Sequence, residues 1–155
     1  MRAPRETVYR LLIDPGAVSA WMVPDGMTSH VHGFEPWAGG AFRVSLTYQA
    51  PTAVGKTSAH TDTYHGRFVE LVPGRRVVQA VQFETDAPDM RGWMTLTISL
   101  TDSDGGTEVE ALHEGLPPGV PLVDNETGTR MALDKLAALA EALAATETPE
   151  RGGHR

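Results

Sequence analysis

The stretch DGMTSHVHGFEPWAGGAFRVSLTY, residues 25–48, sets out a turn, a strand, a glycine-hinged turn and a second strand. Alternation is cleanest over its last eight residues. Phe42, Val44, Leu46 and Tyr48 share one face, while Arg43, Ser45 and Thr47 share the other. A sheet with one apolar face must bury it against another element. The long helical pattern that can cover it comes at the far end of the chain, over residues 124–145. There Met131, Leu133, Leu136, Leu139, Ala140 and Leu143 trace an amphipathic stripe. This order predicts a curved antiparallel sheet gripping one terminal helix, with room for a ligand between them.

Working outward, Pro4 suits a first helical turn, and Val8, Leu11 and Leu12 fall at helical spacing, so residues 5–12 read as a short helix. Asp14-Pro15 ends it and opens a second short helix reaching Trp21, and Pro24-Asp25-Gly26 is a turn. Strands are expected over residues 28–35, 41–48, 61–72, 76–84, 93–101 and 107–114, with Gly66 marking a bulge or a close approach. Residues 49–59, with Pro51 and Gly55, read as a loop. Short connections, including Pro73-Gly74 and Asp104-Gly105-Gly106, make the sheet antiparallel. One domain over residues 1–146 is expected, followed by a frayed polar tail over residues 147–155.

The 155 residues carry a formal charge of −7 and no basic run, a poor basis for binding nucleic acid through its phosphates. With no cysteine, disulfides, thiolate chemistry and cysteine-based zinc sites are excluded. The first residues lack a signal-peptide apolar core, and no apolar run approaches about 18 residues. The expectation is a soluble cytoplasmic protein with no membrane insertion.

Several short strings occur in order: Ala3-Pro4 with Val8-Tyr9, Trp21, Pro24-Asp25-Gly26-Met27, Gly39-Gly40-Ala41-Phe42, His65-Gly66 with Glu70-Leu71 and Pro73, Gly105-Gly106-Thr107, His113-Glu114-Gly115-Leu116-Pro117, and Asp124-Asn125-Glu126 ahead of Leu133 and Leu136. Together they resemble the bacterial proteins similar to the activator of Hsp90 ATPase homologue, within the START/Bet v 1-like (SRPBCC) superfamily. The resemblance implies an α+β helix-grip fold. It implies a shared cavity rather than a shared chemistry. Two departures stand out. The family usually has a strand ahead of the Ala-Pro helix start, so the sheet is expected to be one strand short or its edge covered by a second subunit, which makes a homodimer the expectation. Trp37 and Thr129 occupy positions where the family often has an arginine and a tryptophan.

Candidate chemistry is sparse. His30 and His32 share a strand face, but a metal site needs a third ligand, and Glu35 has the opposite parity. His60, Asp62, Tyr64 and His65 form a polar cluster at a strand start. His113 shares parity with Val109 and Ala111, so its imidazole points toward the terminal helix if that face is concave. No phosphate-binding glycine loop and no Gly-x-Ser-x-Gly motif occur. The resulting expectation is a pocket for a small hydrophobic or amphipathic molecule, without catalytic residue, metal or cofactor. Its candidate ligand-binding residues are Trp21, His32, Phe42, Val44, Leu46, Tyr64, Phe83, Leu96, His113 and Met131. The alternatives are a cyclase/dehydratase-like enzyme using His113 with Tyr64 or His32, and an Hsp90-type co-chaperone module.

Overall fold

The computed structural model describes residues 1–48 and 61–152. The loop expected over residues 49–59 and the end of the expected tail lie outside the described residues. Two short helices, α1 (Arg5–Leu12) and α2 (Pro15–Trp21), precede strands β1 (Met27–Phe34), β2 (Ala41–Tyr48), β3 (Thr61–Val72), β4 (Arg76–Phe83), β5 (Met94–Ser103) and β6 (Gly106–Glu114), and helix α3 (Leu122–Gly152) closes the chain. The strands pair in sequence order, each antiparallel to the next. The sheet curls into a half-barrel around α3, and its inner face carries the alternating apolar residues.

Two irregularities bend the sheet. One falls at His32 in β1 and the other at Val69 in β3. Gly66 is not the bulge. It marks a close approach instead: a Cβ there would run into the Ala80 carbonyl and come within 2.8 Å of the Phe42 ring.

α3 departs from its expected form in three ways. It starts at Leu122, directly after Pro121, and it runs on to Gly152, the first glycine after Gly128. Thr146, just ahead of the expected tail, donates to the Leu143 carbonyl within the helix at 2.8 Å. The buried stripe is also rotated. It follows Ala132, Leu136, Ala140 and Ala144, four residues apart, with Leu133 and Leu139 beside it. Small alanines keep this face of the helix slim, and its backbone comes closest to α1 and α2. Met131 and Leu143 therefore lie off the buried line, Met131 half-buried and Leu143 37% exposed.

The half-barrel has two unlike ends. At one, Phe34, Phe42 and Phe68 form an aromatic plug, with Phe68 5.2 Å from Phe42 and 5.3 Å from Phe34 between ring centres. Leu136 is fully buried in the same core, as are Val8 of α1 and Val77 of β4. α1 is tied across this end by the first residues of the chain. Met1 and Thr107 exchange hydrogen bonds at 2.8 Å, and the Thr107 hydroxyl donates to the Ala3 carbonyl at 2.7 Å. The start of the β6 edge is thus met by the chain's own first residue.

Candidate ligand pocket

The other end is hollow. A pocket of about 370 Å³ lies between α2, the sheet and the first half of α3. Met22, Val23 and Met27 wall it from the α2–β1 side. Leu46, Val81, Phe83, Met94, Leu96 and Ile98 form its floor, and Gly128, Thr129, Ala132 and Leu133 form its roof. The roof explains the space. Where α3 presents Leu136, core fills the gap; one and two turns earlier it presents Ala132 and Gly128. A Cβ added at Gly128 would meet nothing within 4 Å. Lys135 holds the roof to the α2–β1 turn, donating to the Val23 carbonyl and pairing with Asp25 at 3.1 Å. Trp21, only 2% exposed, serves core and wall at once: its indole N–H donates to the Leu11 carbonyl at 2.9 Å while the side chain also faces the hollow.

Among the polar side chains of the lining, three stand out on the sheet's inner face. Tyr64 is 9% exposed and Gln79 6%, and His113 is partly buried. Among the described residues, none of the three side chains has a hydrogen-bond partner. Burial pushes the Tyr64 phenol well above its ordinary value and pulls the His113 imidazole below its own, because both charged forms are disfavoured away from water. Both groups are therefore neutral at pH 7. The described lining includes Asp62 and Asp124 but no lysine or arginine.

Of the residues expected to line a pocket, Trp21, Leu46, Tyr64, Phe83, Leu96 and His113 come together in this one. His32, Phe42, Val44 and Met131 do not line it. His32 lies on the outer sheet face, where its Nε2 meets the Ser45 hydroxyl at 2.8 Å and its ring packs edge-on against His30. Phe42 and Val44 face inward as expected, but they sit in the filled end, 4% and 1% exposed. Met131 lies off the packed face of α3. Thr129, one of the family departures, is in the roof, whereas Trp37 is 58% exposed in the β1–β2 turn.

Gln79 was not anticipated. Its signal was present: it holds an inward position between Val77 and Val81, where a polar residue breaks the alternation. His65 belongs elsewhere. On the outer face its Nδ1 meets Glu84 at 2.9 Å and its Nε2 meets the Gln82 amide at 3.0 Å. Arg43 grips both Glu84 oxygens at 2.9 Å, and the ring of Trp93 stands edge-on to His65. Among the described residues, no three His, Asp or Glu side chains converge to hold a metal ion, and no helix is long and apolar enough to cross a membrane.

An antiparallel half-barrel closed over a terminal helix, with a hollow at one end, defines a helix-grip protein of the Bet v 1-like class. The chain belongs to the family of activator of Hsp90 ATPase homolog 1-like proteins, whose sequence model matches residues 2–141. Among solved structures, a protein of Chromobacterium violaceum is 33% identical, with a TM-score of 0.81 over 91% of this chain and 92% of its own. A Rhodobacter sphaeroides protein is 23% identical, with a TM-score of 0.76 over 92% and 88%. The activator-homolog protein of Silicibacter pomeroyi shares the fold at 16% identity and a TM-score of 0.70, over 89% and 90%. No curated protein matches the sequence.

Proposed function

We propose that this protein binds a small hydrophobic or amphipathic molecule in the pocket between the sheet and α3. The observation that carries the reading is the pocket itself: about 370 Å³, largely apolar, and roofed by the smallest residues of α3. That volume lies in the range of small-molecule sites, roughly 300–1,000 Å³. Nile red, a neutral dye that brightens and shifts to the blue in apolar surroundings, tests it. Saturable enhancement is expected with the unaltered protein. Gly128→Phe adds bulk where a Cβ meets nothing, and it replaces the poorest helix former after proline. It is expected to abolish the dye signal without lowering Tm. Equal dye binding by the variant would place the site elsewhere.

The cyclase/dehydratase alternative requires two proton-transfer groups at one point. Tyr64 and His113 line the same pocket, but β4 and β5 separate their strands, and His32 is on the opposite face. The geometry thus favours binding over proton relay, and nothing singles out a co-chaperone surface. We carry the cytoplasmic setting and the homodimer as proposals. Exposed Trp93 and Leu112, both about half accessible, support the second, and sedimentation at the monomer mass would refute it.

A further inference from the structure

We infer that the pocket selects a neutral, apolar-bodied ligand carrying at least two separated hydroxyl, carbonyl or amide groups, and discriminates against carboxylates. The inference rests on the pocket reading above and names its ligand class. Three observations carry it.

First, Gln79 and Tyr64 are each more than nine-tenths buried, face the hollow and have no hydrogen-bond partner among the described residues. Among the described residues only the Ser29 hydroxyl is a fully enclosed side-chain polar atom without a partner, so the polar ends of Gln79 and Tyr64 open onto the hollow, where only a ligand or water can meet them. The fold supplies no partner for this amide between two valines, and a ligand polar group would supply one.

Second, the register separates the polar points. Gln79 lies opposite Leu96 on β5, and Leu96 lies opposite His113 on β6. Gln79 and His113 therefore flank one leucine on a single cross-strand row, their backbones about 10 Å apart at the usual strand spacing. Tyr64 makes a third point on β3. A single-headed acyl chain satisfies one such point. A rigid body with polar groups at both ends satisfies two.

Third, the described lining offers no cation to an anionic head. It presents amides, phenols, a hydroxyl and an imidazole, and its acidic side chains, Asp62 and Asp124, would repel an anion. An ionised carboxylate moved into such a wall loses its hydration with no cation among the described residues to offset the loss.

Isothermal titration with four naphthalene probes tests this. 2-Naphthamide and 2-naphthoate are near-isosteres differing in charge, and 2,6-dihydroxynaphthalene and 2-naphthol differ in the number of polar ends. The amide is expected to bind at least ~10-fold tighter than the carboxylate. The diol is expected to bind roughly two- to tenfold tighter than the mono-ol, the worth of one neutral hydrogen bond. Gln79→Leu removes the unpartnered amide at similar volume, so it is expected to raise Tm while erasing the diol's advantage. Naphthoate binding as tightly as naphthamide, a diol no better than naphthol, or a Gln79→Leu protein that keeps the diol preference would each overturn the inference and leave the pocket reading standing. Failure of all four probes to bind would overturn both.

Discussion

Single positions show both what alternation reveals and where it stops. Parity along β2 and β6 assigned Phe42, Val44, Leu46 and His113 to the inner face, and all four side chains lie there. Parity could not tell the filled end of the half-barrel from the hollow one, because that depends on what α3 sets opposite each row. Phe42 and Val44 therefore belong to packed core and Leu46 to the pocket. His32 keeps the parity of His30 and lies with it on the outer face; the bulge shifts the period only beyond it, turning Phe34 inward. On the outer face, Glu84 shows how residue-level electrostatics should read out. The guanidinium of Arg43, gripping both oxygens, and to a lesser degree the His65 hydrogen bond hold its carboxyl at about 2, below an ordinary value of 4.5. A depressed carboxyl stabilises the fold fully above its unfolded value, and that contribution fades as pH falls from about 4.5 toward 2. Glu84 is partly exposed, so the effect is about 1 kcal/mol or less. Urea unfolding at pH 6 and pH 3 should show Glu84→Gln losing less stability between the two than the unaltered protein. An identical loss in both would remove Glu84 from the acid response.

Among the elements, the strands were the most legible because turns and a two-residue period mark them independently. Every expected strand is present, with ends shifted by no more than two residues at any boundary, as hydrogen-bond fraying allows. The terminal helix was legible in existence but not in rotation. Counting large residues put Met131 and Leu143 on its buried stripe, whereas the buried line runs through Ala132, Leu136, Ala140 and Ala144. This gives an element-level expectation. Leu136→Ala opens a void in filled core and should cost about 2–5 kcal/mol. Leu143→Ala, at a partly exposed site, should cost less than about 1 kcal/mol. Equal losses in chemical denaturation would mean that the helix docks through a different face. The same alanine line, thinning to Gly128 at its amino-terminal end, is what leaves the hollow.

For the molecule as a whole, the sequence led to the helix-grip architecture through ordered strings and to the existence of an apolar interior, but not to the division of that interior into a plugged and an open half. That division arises from three-dimensional meetings: an aromatic plug drawn from β1, β2 and β3, with α1 packed over that end, and small α3 residues over the other end. The six methionines report on it directly. Met22, Met27 and Met94 line the pocket, whereas Met1, Met90 and Met131 do not. A titration of methyl-¹³C-methionine protein with 2-naphthol, followed by NMR, reads all six at once. Saturable shifts at Met22, Met27 and Met94, with Met1, Met90 and Met131 unmoved, are the expected result. Shifts confined to the latter three, or none at saturating probe, would contradict a ligand pocket between the sheet and the terminal helix.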